Sequence, residues 1–296
     1  MTYIKAQGMQ FGWLFALIIG GVILFLAISF SGQIIGTGTQ QTQAELTRSI
    51  DTLLNPFASI EGAKVSLSKP VSLPEKTEVN FSCSSRLDSQ TMSLKLKRGE
   101  KPFTYQIKNK YIFSESFNEK ELWVFAKPFE MPWRVDDLIY IISKKYCFIN
   151  PPENIKKELQ EINSSKIIVS SSSANCKDYM TVCWIGKCNI SVTDSTVTPK
   201  GGNPLFYLDD STMYAAIFGP SQYNCNIERL RTRLGVQTEI FIAKTDILIQ
   251  QGCIEAQPLK QELSDLRSLI VSKDFALIKS KAVQIDNDNM ISCPIY

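Results

Sequence analysis

Eight cysteines and a complete absence of histidine define the chemistry open to this chain of 296 residues. Without imidazole, Ser-His-Asp and Cys-His nucleophile pairs, histidine-ligated zinc and an imidazole base are all excluded. Every cysteine follows a charge-free run at residues 11–30. An even number on one side of such a run favours up to four disulfides in an oxidising compartment. The cysteines are Cys83, Cys147, Cys176, Cys183, Cys188, Cys225, Cys253 and Cys293.

A structural zinc site is the alternative use of these thiols, since thiolates alone can bind zinc tetrahedrally. The chain contains no C-x2-C pair, which is the spacing that structural zinc sites commonly use. Disulfides are therefore favoured over zinc, whose candidate ligands would be Cys176, Cys183, Cys188 and Cys225.

The Gly186-Lys187 dipeptide predicts a two-residue hairpin turn between two short strands. In that hairpin Cys183 faces Ile190, so Cys183 and Cys188 are not directly opposed. We therefore expect both cysteines to be oxidised and paired with other cysteines.

Acidic residues are the remaining groups suited to acid-base catalysis or metal binding. Asp136-Asp137 and Asp209-Asp210 form two adjacent pairs, and residues 286–289 (DNDN) form a third acidic group. Carboxylates suit glycosidase and calcium sites. Both pairs precede predicted helices, however, where capping explains them, and DNDN lacks the glycine and distal Glu of an EF-hand. We therefore predict no catalytic residue, no cofactor and no metal ligand.

Aromatic side chains concentrate between residues 121 and 137. Trp123, Phe129 and Trp133 are candidates for an exposed platform that stacks on sugars or proline-rich peptides. Core and turn packing is the favoured alternative, because aromatic residues at alternate strand positions are typical of a strand interior. The two interpretations differ in whether these three side chains are exposed.

The charge-free run at residues 11–30 predicts a transmembrane helix, because twenty residues span about 30 Å as a helix, the thickness of a bilayer's hydrocarbon core. A cleaved secretory signal is the alternative, but its apolar core is usually shorter. Lys5 is the only charged side chain before the run, and Glu45 and Arg48 are the first after it. The positive-inside rule and the cysteines both favour a cytoplasmic N-terminus and an extracytoplasmic remainder.

The residues just before the run carry a family resemblance. Lys5-Ala6-Gln7 followed by an apolar stretch resembles the class III, type IV pilin-like N-terminus of archaeal surface proteins. The resemblance implies cleavage between Ala6 and Gln7 by a prepilin-type peptidase, with the apolar helix as anchor or filament core. The family's Glu near the fifth mature position is missing, since Phe11 occupies that position and Gln10 precedes it. This departure argues against filament assembly more than against membrane insertion.

Patterning beyond the anchor predicts a disulfide-braced α+β fold. Residues 1–10 are assigned to the cytoplasm, and residues 31–56 to a spacer and an amphipathic stalk helix. A β-rich and α/β region is predicted over residues 57–208, and a helical region over residues 209–296.

The predicted elements of the ectodomain are specific. Period-two alternation at residues 64–127 predicts a small antiparallel sheet. Residues 136–143 (DDLIYIIS) predict a capped helix, and residues 146–170 predict a strand, a helix and a strand joined as a crossover between parallel strands. Gly235 and Gly252 stand where helix C-caps are expected.

Charge and composition limit the partners. The net charge of +3 is too small for a nucleic-acid-binding protein. Sequons at Asn80, Asn163 and Asn189 would be usable outside the cell. We predict a single-pass protein, anchored in the lipid bilayer through residues 11–30, that contacts protein or glycan as an adhesion, envelope-scaffold or pilin-like subunit, alone or as an oligomer. A tethered, glycan-acting, carboxylate-based hydrolase and an accessory subunit of a membrane complex are the alternatives.

Overall fold

The computed structural model describes residues 19–25, 65–66, 70–85, 89–95, 102–272 and 275–296. The chain divides into two units, Met1–Ile50 and Asp51–Tyr296. In the first unit, residues 19–25 form a helix whose side chains are exposed. Among the described residues, no helix is long and apolar enough to cross a membrane.

Several predictions concern residues that lie outside the described ranges. The remainder of the predicted span at residues 11–30 is one of them. The others are the cytoplasmic segment 1–10 with its cleavage site at Ala6 and Gln7, and the spacer and stalk at residues 31–56.

The first sheet has seven strands in the order β4-β3-β2-β6-β7-β5, with β1 paired to β6. All of its pairings are antiparallel except that of β5 with β7. In β3, buried Met92 and Leu94 alternate with partly exposed neighbours, because successive side chains of a strand point to opposite faces. The antiparallel sheet predicted at residues 64–127 is confirmed in β2, β3, β4 and β6. The strands are β1 (Val65–Ser66), β2 (Val71–Ser84), β3 (Ser89–Lys95), β4 (Phe103–Lys108), β5 (Tyr111–Phe113), β6 (Phe117–Glu130) and β7 (Arg134–Ile142).

Strand β7 corrects the helix predicted at residues 136–143. It lies between β6 and β5, and every residue from Asp137 to Ile142 is buried. A strand buried on both faces is a continuous apolar run, which periodicity cannot distinguish from a buried helix.

The second sheet has six strands in the order β13-β12-β11-β10-β8-β9. Its first unit is β8, helix α1 and β9, in which β8 and β9 are parallel, and the predicted crossover is confirmed. Strands β12 and β13 form an antiparallel pair. The elements are β8 (Tyr146–Ile149), α1 (Glu153–Ile162), β9 (Ile167–Ser170), β10 (Met180–Cys183), β11 (Ile190–Val192), β12 (Thr196–Pro199) and β13 (Leu205–Phe206).

The hairpin predicted at Gly186-Lys187 is wrong, because β10 and β11 are parallel. Gly186 adopts the positive φ of a turn residue, +99°. The loop that contains it nevertheless leads into β11 running in the same direction as β10. Side-chain bonds hold the loop ends together. The Asn189 Oδ1 accepts from both the backbone N and Oγ1 of Thr181, each at 2.9 Å.

Four helices follow the sheets: α2 (Asp210–Phe218), α3 (Tyr223–Gln250), α4 (Ala256–Ser272) and α5 (Phe275–Asp288). The break predicted at Gly235 is wrong, since that residue lies inside α3 and packs near Arg267. The cap predicted at Gly252 is confirmed. Its φ is +100°, and the Cys253 N–H donates to the Leu248 carbonyl at 2.9 Å, which is the bond that defines a Schellman motif.

Helix α2 forms the centre of the core, with eight of its nine residues buried. It contacts β6 and β7 of the first sheet and β12 of the second. Phe125 and Tyr140 of the first sheet meet Phe218 of α2 at centroid distances of 5.6 and 6.1 Å. Gly219 ends α2 where a Cβ would lie 2.8 Å from the Ser114 backbone nitrogen, so no larger residue fits there.

Candidate functional site

The candidate aromatic surface lies in the core. Trp123, Phe129 and Trp133 are 8%, 3% and 6% exposed. The Trp133 ring packs at a tilt against the Phe241 ring, with 4.4 Å between centroids, and its Nε1 donates to the Gln237 side chain at 3.0 Å. These side chains pack in the interior, as aromatic residues at alternate strand positions commonly do, and do not form an exposed stacking platform.

The acidic pairs have structural roles. Asp209 caps α2, accepting from the Thr212 N–H at 2.9 Å, and the Thr212 hydroxyl completes a capping box. The pair Asp136-Asp137 was expected to cap a helix, but it lies in β7. There Asp136 lies 2.8 Å from the Arg233 Nε. Burial raises the pKa of Asp136, and the Arg233 charge opposes that rise.

One cluster of charged groups is largely shielded from water, between β6, α1 and α2. The Lys127 Nζ lies 2.8 and 3.0 Å from the two carboxylate oxygens of Glu158 and 3.7 Å from Asp210 Oδ2. The Tyr214 hydroxyl donates to Glu158 Oε2 at 3.0 Å. The Lys127 and Glu158 side chains are only 15% and 11% exposed.

The geometry of this Lys127 cluster does not suit acid-base hydrolysis. A glycosidase needs two carboxyl groups that face each other across the space for a sugar. Here the Lys127 ammonium group contacts the carboxylates of both Glu158 and Asp210. The Tyr214 hydroxyl also donates a hydrogen bond to Glu158. Burial and the Glu158 charge raise the pKa of the Tyr214 hydroxyl, so it remains a hydrogen-bond donor. The cluster joins β6, α1 and α2, and its lysine and carboxylates neutralise one another within the protein.

The described residues contain no group of three or more Cys, Asp or Glu side chains placed to hold a metal ion. The acidic segment at residues 286–289 ends α5. Asn289 there accepts from the Ile295 N–H at 2.7 Å and donates to the Tyr296 carbonyl at 3.3 Å. This polar segment fixes the chain that follows α5.

All eight cysteines form disulfides, as predicted in place of a zinc site. Cys183 and Cys188 pair with each other, which corrects the expectation of other partners. That expectation depended on the antiparallel hairpin, whereas the observed loop brings the two residues together. The four disulfides are Cys83–Cys225, Cys147–Cys176, Cys183–Cys188 and Cys253–Cys293.

A small apolar cavity lies where the end of β6 faces α3 and α5. Phe129, Leu230 and Ile278 are among its lining residues, and Arg231 is the one charged residue in that lining. The Arg231 guanidinium pairs with Glu228 and donates to the Ile270 carbonyl at 2.5 Å. The cavity therefore offers little polar chemistry to a ligand.

The largest helix carries a line of exposed apolar side chains. Val236, Ile240 and Ile247 of α3 are 53%, 60% and 55% exposed, and Ala243 between them is exposed as well. Intervals of four, three and four residues place these four residues on one face of a helix. We call this face the α3 stripe. At 1.5 Å per residue, it is about 16 Å long.

The stripe lies opposite the face of α3 that packs on the core. Thr238 and Thr245, on the inner face, are both 0% exposed. Charged residues border the stripe on its two sides. Glu239 and Asp246 lie along the α4 side. There Glu239 pairs with Arg267 at 2.6 Å, and Asp246 pairs with Lys260. Lys244 lies along the other side and donates to the Ile295 carbonyl.

Comparison with known proteins gives no relatives. No family model, no curated protein and no solved structure matches this chain. Its function must therefore be argued from its own residues.

Sequence reasoning missed the α3 stripe. The signal was present as apolar residues at heptad spacing between Val236 and Ile247. The expected helix end at Gly235 divided the region into two shorter helices, so the seam was not recognised. The Lys127 cluster left no comparable signal, because Lys127, Glu158 and Asp210 are far apart in sequence.

Proposed function

We propose that this chain is a membrane-anchored extracytoplasmic surface protein that acts by contact, as an adhesion, envelope-scaffold or pilin-like subunit. The α3 stripe is the observation that carries the contact role. Three large apolar side chains, each more than half exposed on one helix face, favour burial against another surface.

The location is supported by two independent features of the chain. Its eight cysteines are all paired, which is typical of an oxidising compartment. The charge-free residues 11–30 have the length and composition of a membrane anchor. Digestion by an external protease added to intact cells should remove the region after residue 30. Full protection that ends only after cell lysis would contradict this location.

The contact role predicts a complex that depends on the stripe. Amine-reactive crosslinking of intact membranes should produce a larger species containing this chain. Replacement of Ile240 by Glu should remove that species, because a charge in the stripe opposes burial. The melting temperature should stay within about 1 °C of the parent, since Ile240 is exposed.

Ile185→Glu is the matched control. Ile185 is 89% exposed and lies in the loop closed by the Cys183–Cys188 disulfide, so it tests the same substitution away from the stripe. We expect the crosslinked species to persist in this variant. If the species also persists in the Ile240 variant, the stripe is not the contact surface.

A further inference from the structure

We infer that the occupant of the α3 stripe is a second copy of this chain, packed through α3 in parallel orientation. This inference rests on the proposed function and specifies its partner. It follows from the spacing of the stripe, from the charges that border it and from the area it offers.

The spacing suits a helix of the same kind. Apolar residues at intervals of four and three form the seam of a two-stranded coiled coil. In that notation Val236 and Ala243 occupy d positions, and Ile240 and Ile247 occupy a positions. Branched aliphatic residues at a positions are compatible with a two-stranded pair. The inner face of α3 is already packed on its own domain, so the seam can accept one further helix.

The bordering charges select the parallel orientation. In a parallel pair, Glu239 of one copy faces Lys244 of the other, because g residues oppose e residues five positions further along. Two-fold symmetry produces this contact twice. An antiparallel pair would instead bring Glu239 near Asp246 of the other copy, and Lys244 near its own counterpart. Like charges placed in this way oppose association.

Existing bonds leave these side chains able to make the contact. Both bonds from Arg267 to Glu239 involve Oε1, so Oε2 can accept from another donor. Lys244 donates to the Ile295 carbonyl, and an ammonium group has three donors. Glu239 is 57% exposed, which places its carboxylate within reach of a partner.

The size of the stripe indicates why membrane anchoring matters. The side chains of Val236, Ile240 and Ile247 are each a little over half exposed, so each copy has only three partly exposed aliphatic side chains to bury. This gain is comparable with the cost of the translational and rotational freedom lost on association, so the pair is marginal in dilute solution. Anchoring both copies in one membrane raises their effective concentration.

Disulfide trapping tests both the partner and the orientation. The full-length chain is expressed in its membrane with a single added cysteine at Ile240, Ala243 or Ile247, and mild oxidation is followed by non-reducing electrophoresis. In a parallel pair each residue faces its own counterpart, so all three variants should form covalent dimers. An antiparallel pair centred on Ala243 would trap only at that position, because Ile240 would lie about 10 Å from its counterpart.

The control is Ser195→Cys, which places an exposed thiol in the turn between β11 and β12, outside α3. We expect at least tenfold less dimer from this variant than from the three stripe variants. Equal trapping at all four positions would indicate random collision and overturn the inference, as would trapping at Ala243 alone. A stripe-dependent crosslinked species that contains a different protein would also overturn it, while leaving the proposed contact function in place.

Discussion

Replacing Lys127 tests how β6, α1 and α2 are held together. Its ammonium group lies 2.8 and 3.0 Å from the oxygens of Glu158, and both side chains are less than one-sixth exposed. Replacing Lys127 with Met keeps the aliphatic stem and leaves the Glu158 carboxylate without its cation. The hydroxyl of Tyr214, which donates to Glu158 Oε2 at 3.0 Å, is retained in this variant.

Removing one partner of a fully buried ion pair costs about 3–5 kcal/mol. The residual exposure of this pair lowers the expected cost to about 2–3 kcal/mol, because water reaches part of the carboxylate. For a domain of this size, each kcal/mol changes the melting temperature by about 2–4 °C. We therefore expect Lys127→Met to lower the melting temperature by about 4–12 °C near neutral pH.

Two controls make this expectation specific to the buried charge. Lys156→Met removes a lysine from a surface pair with Glu153 at 3.3 Å and should cost less than about 1 kcal/mol. Adding Glu158→Gln to the Lys127 variant removes the buried negative charge and should recover at least half of the loss.

The assay is thermal unfolding of the full-length chain in detergent, without reductant, followed by circular dichroism. The reasoning would be refuted if Lys127→Met and Lys156→Met had equal effects, or if the double variant were less stable than Lys127→Met alone.

Two further predictions concern pH and the disulfides. Burial raises the pKa of Glu262, so the stability that its protonated form gives is lost as the pH rises through this folded-state pKa. Glu262→Gln should therefore raise the melting temperature at about pH 7 and leave it unchanged at about pH 4, and an equal gain at both would contradict this. The Cys83–Cys225 disulfide closes a separation of 142 residues and Cys183–Cys188 one of 5. On the chain-entropy model, replacing both cysteines by serine lowers the free energy of unfolding by about 5 kcal/mol for the first disulfide and about 2 kcal/mol for the second. Equal midpoints of the two variants in denaturant titrations would contradict this.

Local patterns predicted those elements whose signals lie within one segment. Helix α1 has Pro152 before its first turn and Ile155, Leu159 and Ile162 on its buried face, and it is the helix of the crossover predicted within residues 146–170. The Asp209 cap and the glycine at position 252 were equally local signals. In each case the residues that fix the conformation are within a few positions of one another.

Predictions were wrong where distant partners decide the outcome. Asp136 and Asp137 resemble helix caps in sequence, yet β6 and β5 enclose that segment as a strand. Gly186 turns the chain as expected, but β11 pairs in parallel with β10 and antiparallel with β12. Strand pairing of this kind depends on the whole sheet, and a two-residue signal cannot specify it.

The Cys83–Cys225 disulfide also determines how the protein would carry mechanical load. It joins β2 of the first sheet directly to α3. Tension applied between the N-terminal end of the chain and the exposed stripe of α3 would pass through this covalent bond. Residues 84–224 form the closed loop between the two cysteines and would remain unloaded, which includes all of the second sheet. Reduction of this one bond would place that sheet in the path of the force, so the oxidation state of a single cysteine pair decides whether the second sheet carries load.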